Sequence, residues 1–172
     1  TSMNILFIAH DPNIFNEESA THARMKAYAE ALKQEYGGTL HIISRATKTR
    51  TTTYGPLVLR ATHAGRLSAL WKLPKVAHKL IRNEKIAVVS AQDPFEHGWI
   101  AARAVRGTGA KLHIQIHTDF LSPWFVRGKG TAARLNRIRV WMARHVLPKA
   151  GGVRVVSERI RSSLGNVEAT VI

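Results

Sequence analysis

Short apolar runs alternate along the chain with longer segments of helical spacing. The first run, Met3 to Ala9, is nearly continuous, which is typical of a buried parallel strand covered on both faces. Comparable runs predict further strands at residues 40–44, 56–60, 86–91, 111–117, 152–156 and 167–172. Lys48 to Gly55 carries four threonines and two basic residues, so we expect a polar loop there.

The segments between these strands have the apolar spacing of helices. Ser19 or Thr21 is placed to cap the first helix, which we expect to end at Gly37 and Gly38. Further helices are predicted at residues 65–83, 98–105, 131–147 and 158–164. Within the 65–83 segment we expect Pro74 to lie in a first helical turn.

Strands alternating with helices predict a three-layer α/β/α domain with a mostly parallel sheet and right-handed crossovers. In such sheets ligands bind outside the carboxyl ends of the strands, where the strand order reverses. The polar residues that directly follow strands are therefore the candidate site residues. They are His10, Asp11, Gln92, Asp93, His117, Thr118, Asp119, Ser157 and Glu158.

The composition is that of one ordinary globular domain. The chain has 172 residues, of which 45% are apolar, and we expect a single domain over residues 1–172. Thr1 and Ser2 are expected to precede the natural start at Met3. No apolar run approaches the ~18 residues of a membrane-spanning helix, and no secretory signal pattern is present. Cysteine is absent, which excludes disulfides and thiolate metal sites.

The charge is high and unevenly distributed. The formal net charge is +15, and the stretch from Arg45 to Arg82 contains nine basic residues and no acidic one. From Arg103 to Arg154 there are eleven basic residues and one acid, Asp119. Nucleic acid, an anionic membrane and a phosphorylated substrate are all compatible with this charge.

Several common motifs are missing. Neither a GxGxxG turn, a GxxxxGK[ST] loop nor a GxSxG elbow occurs, which argues against nicotinamide cofactors, P-loop NTP hydrolysis and α/β-hydrolases. The nine histidines are scattered without HExxH spacing, so we expect no metal site. His113, inside a predicted strand, is interpreted as a hydrogen-bonded core or flanking residue.

Four segments together resemble one known family. They are the 3–8 strand, the 88–94 strand and turn, the 114–118 strand end and the 152–158 strand and cap. In this order they resemble the N-terminal, acceptor-side domain of GT-B glycosyltransferases of the retaining group 1, or family 4, kind. The resemblance implies a Rossmann-like domain that forms one half of a two-domain enzyme. It also implies a nucleotide-sugar donor held mainly by a C-terminal domain absent here, no cofactor, and an inactive fragment.

The same resemblance gives His117 a catalytic role. A histidine at the end of this strand is similar to the family's active-site histidine, which lies beside the transferred sugar. A neutral imidazole there is able to hydrogen-bond a sugar hydroxyl or the developing charge. The alternative is a histidine that bonds a neighbouring loop. Asp119 is expected to orient His117 or bind an acceptor hydroxyl, or else to be a solvated loop residue.

The loop after the first strand departs from the family pattern. Many members have a glycine pair there, whereas this chain has residues 10–16, HDPNIFN. Asp11 and Asn16 are candidates for binding sugar hydroxyls of a glycan or lipid-linked acceptor. Asp93 is a helix cap or an acceptor ligand, and Glu96 and His97 are further acceptor candidates.

Two helices are predicted to have basic faces. Lys72, Lys75, Lys79 and Arg82 share one face, with Leu73, Val76, Ala77, Leu80 and Ile81 expected opposite. On the 131–147 helix, Arg134, Arg137 and Arg144 share a face with Trp141, while Leu135, Ile138 and Met142 are expected to face the core.

Basic faces of this kind suit an anionic membrane surface, and solvated faces are the alternative. We therefore expect a cytoplasmic enzyme, peripheral on the inner face of the cytoplasmic membrane. The rival function is a basic α/β nucleic-acid-binding module, against which the absence of RNP, KH and helix-turn-helix patterns argues.

Overall fold

The computed structural model describes residues 2–171, and the expectations for Thr1 and Ile172 lie outside this range. Eight strands form one sheet in the order β3-β4-β2-β1-β5-β6-β7-β8, parallel except for the β3–β4 pair. The strands are β1 (Asn4–Ile8), β2 (Leu40–Ala46), β3 (Arg50–Tyr54), β4 (Leu57–His63), β5 (Ile86–Ala91), β6 (Lys111–Ile116), β7 (Gly152–Val155) and β8 (Thr170–Val171). The helices are α1 (Ala20–Tyr36), α2 (Ala69–Asn83), α3 (Glu96–Ala104), α4 (Thr131–Val146) and α5 (Glu158–Ser163). The predicted α/β fold with a mostly parallel sheet is confirmed.

The helices are divided unequally between the two faces of the sheet. Met25 and Leu32 of α1 pack with Ile42 of β2 in one core cluster. The other four helices contribute to a larger cluster that contains Leu6 and Ile114 on the opposite face. Right-handed crossovers explain this division, because the chain moves one way from β1 to β2 and the other way from β4 to β8.

A consequence is that the α1 side of β5, β6 and β7 carries polar residues. The Ser90 hydroxyl lies 2.8 Å from His113 Nδ1, and Gln115 Nε2 donates to the same hydroxyl at 3.1 Å. His113 is therefore hydrogen-bonded, as predicted. Burial lowers its pKa, and the charge of Arg154 on β7 lowers it further.

Strand β1 lies between β2 and β5, so the strand order reverses beside it. The loops that follow β1 and β5 therefore meet at the switch point, where ligands bind in folds of this type. Both candidate loops, around Asp11 and Asp93, are at this edge of the sheet.

Two predictions about local structure were wrong. The expected loop at 48–55 contains β3, which pairs antiparallel with β4 from Arg50–Ala61 to Tyr54–Leu57. Its polar pattern reflects an edge strand that is partly exposed to solvent, and its threonines are good strand formers. Pro74 lies inside α2 and not in its first turn, because the helix already begins at Ala69. A proline there removes one helical hydrogen bond, which the burial of the apolar face of α2 offsets.

The end of α1 depends on two consecutive glycines. Gly37 has φ +61°, and its N–H donates to Lys33 O at 2.9 Å. At Gly38 an added Cβ would lie 2.0 Å from the backbone oxygen of Met3. Gly37 is therefore required by its left-handed backbone conformation. Gly38 is required because two backbone segments approach too closely there to leave room for a side chain.

Candidate functional site

A cavity of about 250 Å³ opens at the carboxyl edge, between α1 and the ends of β1, β5 and β6. The charged, amide and imidazole side chains that line it are Asp11, Arg24, Gln92, Gln115, His117 and Arg154. Three of the predicted site residues, Asp11, Gln92 and His117, thus share one cavity at the switch point.

His117 directly follows β6, whose pairing with β5 and β7 fixes the direction of the strand end. Its side chain is exposed and has no hydrogen-bond partner among residues 2–171. Both ring nitrogens are therefore available to a ligand in the cavity.

The 10–16 loop is shaped by its own side chains. An Asp11 oxygen accepts from the Asn13 N–H at 2.9 Å and caps the short 3-10 turn Pro12–Phe15. Asn16 is exposed, does not line the His117 cavity, and accepts from the Glu18 N–H at 3.2 Å. The structure therefore brings Asp11 to the cavity and leaves Asn16 in a local turn.

Asp93 acts as a cap and also holds a histidine. Its Oδ1 accepts from the N–H of Phe95 at 2.7 Å and of His97 at 3.3 Å, at the start of α3. Its Oδ2 bonds His97 Nδ1. Burial by itself would raise the pKa of Asp93, but the hydrogen bond and charge of His97 hold it below the ordinary value. Asp93 thereby fixes the orientation of the imidazole, whose Nε2 remains available.

Glu96 is engaged in an ion-pair cluster. Its carboxylate accepts from Arg139 Nε at 3.2 Å and Nη2 at 3.0 Å, and from Arg66 Nη2 at 3.4 Å. Burial opposes ionisation, yet the Arg139 contacts keep the pKa of Glu96 below its usual range. Glu96 and His97 line a second cavity of about 130 Å³, on the α2 and α3 side of the sheet.

Asp119 does not contact His117 and instead pairs with α5. Its Oδ2 accepts from Arg159 Nε at 3.1 Å, while its Oδ1 is buried without a hydrogen-bond partner among the described residues. The structure thus gives Asp119 a partner other than the one expected.

Arg24, Gln115 and Arg154, which also line the His117 cavity, were not predicted as site residues from the sequence. Gln115 and Arg154 alternate with core residues along β6 and β7. Among the described residues no helix covers their side of these two strands, so both side chains reach the cavity. Arg24 lies on α1. Gln92, which was predicted as a site residue, follows β5, and its N–H donates to Ile8 O at 3.2 Å. The polar character of otherwise apolar strands was the available signal. Within the described residues no cluster of three or more His, Asp or Glu side chains is placed to hold a metal ion.

The fold and parts of the sequence match known proteins. The family model of the "Glycosyl transferase 4-like domain" matches residues 22–169. The structure of sucrose-phosphate synthase from Thermosynechococcus elongatus superposes with a TM-score of 0.73 at 14% identity, over 99% of this chain and 47% of that one. A glycosyltransferase from Rickettsia africae gives a TM-score of 0.58 at 14% identity, over 100% of this chain and 43% of that one.

An α,α-trehalose-phosphate synthase (UDP-forming) from Burkholderia vietnamiensis gives a TM-score of 0.56 at 10% identity, over 97% of this chain and 42% of that one. Identities this low show a shared fold. The chain thus spans about half the length of the structures it matches, such as 47% of the sucrose-phosphate synthase. The search of curated proteins found no matching sequence.

Proposed function

Since the chain belongs to the glycosyl transferase 4-like family, we propose that it is the acceptor-binding half of a retaining, metal-independent glycosyltransferase. The fold is that of the N-terminal half of a GT-B enzyme, so the predicted family resemblance is confirmed. The family match also favours a transferase over the rival nucleic-acid-binding module. In this proposal a second domain holds most of the nucleotide-sugar donor.

The observation that carries the proposal is the cavity shared by His117 and Asp11. It lies at the switch point of a parallel sheet and is open to solvent on the side where a second domain would close it. Amide, carboxylate and guanidinium groups line it together, and such groups hydrogen-bond sugar hydroxyls and phosphates.

The proposed chemistry replaces one glycosidic bond with another. The bond between the anomeric carbon and the phosphate oxygen of the donor breaks, and the nucleotide leaves with the electron pair. An acceptor oxygen forms the new bond to the anomeric carbon, and its proton passes to the departing phosphate. His117 would donate a hydrogen bond to the transferred sugar. This hydrogen bond would accelerate the reaction to the extent that it is stronger in the transition state than in the ground state. Asp11 would orient the acceptor or the sugar through its free carboxylate oxygen.

The test is replacement of His117 in the full-length enzyme. We expect His117→Ala to lower kcat by ~10²–10³, as for other lost transition-state donors. His117→Gln keeps a side-chain N–H donor and should retain more of the activity. Near-normal turnover in a folded His117→Ala enzyme would refute the assignment. Asp119→Asn should have a smaller effect than His117→Ala, because Asp119 pairs with Arg159 and does not line the His117 cavity.

We also propose that the outer surface of α2, α3 and α4 contacts an anionic membrane, which would suit a lipid-linked acceptor. Lys72, Lys75, Lys79 and Arg82 are all exposed on α2, as predicted. Val76 lies on the exposed face with them, contrary to expectation, because the buried face of α2 is formed by Leu73, Ala77, Leu80 and Ile81.

Aromatic residues border these charges. Trp71 is 60% exposed and lies beneath the Arg103 guanidinium, 5.0 Å from its carbon to the ring centre. On α4, Trp141 is 50% and Ile138 52% exposed. The expectation that Ile138 faces the core was wrong, since Ala133, Met142, Ala143 and Val146 form the buried face of α4. Exposed tryptophans beside lysines and arginines are typical of surfaces that enter the headgroup region. No helix within residues 2–171 is both long and apolar enough to cross a bilayer.

A further inference from the structure

A third cavity, of about 570 Å³, lies at the same carboxyl edge, beyond the ends of β2 and β4. Its cationic and aromatic lining consists of His10, Phe15, Arg45, Arg50 and His63. It shares no lining residue with the His117 cavity, and the 10–16 loop contributes to both, because His10 lines one and Asp11 the other.

The residues that line this cavity carry positive charge and supply no negative charge to balance it. None of the residues lining the cavity is acidic, and neither Arg45 nor Arg50 forms a salt bridge within the described part of the chain. The Arg50 guanidinium lies over the Phe15 ring, 5.1 Å from its centre, which holds the charge at the wall.

Both histidines of the cavity have one nitrogen engaged. His63 Nδ1 donates to Thr47 O at 2.7 Å, so its Nε2 is left for a ligand. The Nδ1 of His10 lies 3.3 Å from Ser44 Oγ. Burial lowers the pKa of His10, and the charges of Arg45 and His97 lower it further, whereas the charge of Asp11 and a hydrogen bond with the Arg45 backbone raise it.

We propose that this cavity binds the phosphate group of a phosphorylated acceptor. That the rest of the bound molecule is a glycosyl acceptor rests on the proposed transferase function. Two arginine forks are suited to the oxygens of a phosphate, and a dianion would remove the charge imbalance of the site. Pro12, Ala46 and Ala64 supply apolar walls for the adjoining carbon atoms. The phosphate can belong to a soluble sugar phosphate or to a lipid headgroup.

The experiment is a calorimetric titration of the chain with four ligands. They are glucose 6-phosphate, glucose, inorganic phosphate and a short-chain soluble phosphatidylinositol. We expect binding of glucose 6-phosphate or of the lipid, weaker binding of inorganic phosphate, and none of glucose. The phosphate-bearing ligand that binds identifies the source of the group.

Variants decide whether the cavity is responsible. Arg45→Gln and Arg50→Gln should each weaken binding by roughly tenfold or more, as expected for lost hydrogen bonds to a charged group. Arg106→Gln is the matched control, because it removes the same charge from an exposed position in the turn between α3 and β6. In NMR titrations the bound anion should raise the pKa of His10.

The proposal is overturned if neither phosphate-bearing ligand binds, or if Arg106→Gln weakens binding as much as the cavity variants do. The titration needs no donor and no second domain. Loss of phosphate binding therefore counts against this site alone, whereas normal turnover of the His117→Ala enzyme counts against the proposed function.

Discussion

His41 is a buried imidazole near the start of β2, with 3% of its surface exposed. Neither of its ring nitrogens has a hydrogen-bond partner within the described residues. Burial lowers its pKa, and of the two charged groups that act on it, Arg60 lowers the pKa further and Glu84 raises it. His41 is therefore held in the neutral form, at the cost of an unsatisfied polar group.

This residue predicts a pH dependence of stability. The folded-state pKa is below that of the unfolded chain, ~6.5, so the unfolded state binds more protons as the pH falls. The free energy of unfolding should be constant above this value and decrease from there down to the folded-state pKa. Urea unfolding at pH 7.5 and 5.5 measures the difference.

The variant His41→Leu tests the assignment. In this variant the loss of stability between pH 7.5 and pH 5.5 should be smaller than in the parent protein. The loss that remains is attributed to His10 and His113, whose pKa values are also lowered. At pH 7.5 it should be more stable by about 1 kcal/mol, since it removes a buried unpaired polar group. An unchanged pH dependence in this variant would contradict the argument.

For single residues, the sequence predicted the position of site residues in the fold but not their interaction partners. His117 and Asp11 were identified because residues that follow parallel strands must lie at one edge. The pairing of Asp119 with Arg159 and of Glu96 with Arg139 depends on long side chains from distant helices. The acid-free stretch that starts at Arg45 was the only sign of the basic cavity.

Among the elements, α1 allows a sharp test of local stability. Gly37→Ala places a Cβ in open space but on a backbone of φ +61°, and should cost about 1 kcal/mol. Gly38→Ala meets the Met3 oxygen and should cost more, roughly 2–3 kcal/mol or above.

Gly109→Ala is the control for both changes. It also has nothing within 4 Å of the added Cβ, and its φ is not positive. Its stability should therefore stay within ~0.5 kcal/mol of the parent protein. Equal chemical-denaturation midpoints for Gly37→Ala and Gly109→Ala would show that the left-handed conformation is not what determines the cost.

The elements also show which patterns are readable in a sequence. Strand β5 was predicted with the observed bounds because a buried parallel strand is continuously apolar. Strand β3 was missed because an edge strand needs no apolar face. Val76 and Ile138 were misplaced because apolar residues that border a wide buried stripe can fall on either side of it.

At the scale of the whole molecule, we expect the positive charge to make the chain bind anionic vesicles through the outer surface of α2, α3 and α4. Lys72→Glu with Lys79→Glu should weaken vesicle binding by about 2 kcal/mol, at ~1 kcal/mol per charge near the surface. Lys26→Glu with Lys33→Glu is the matched control, since both are exposed at the same spacing on α1, across the sheet.

Sedimentation with phosphatidylglycerol and phosphatidylcholine vesicles measures this binding. The control pair should reduce it by less, because its charges lie on the opposite side of the molecule. Equal losses for the two pairs would mean that only net charge matters. Equal binding to neutral vesicles would refute an electrostatic surface.

The antiparallel strand β3 also has a consequence for how copies of the chain meet. Its outer edge presents unpaired backbone groups, to which a strand of another copy could add. Arg50 and the neighbouring Lys48 place positive charge at one end of that edge, so two copies that approach edge to edge repel each other. Salt weakens repulsion between exposed charges. Concentrated solutions should therefore be clearest at low ionic strength and should scatter more light as salt is added.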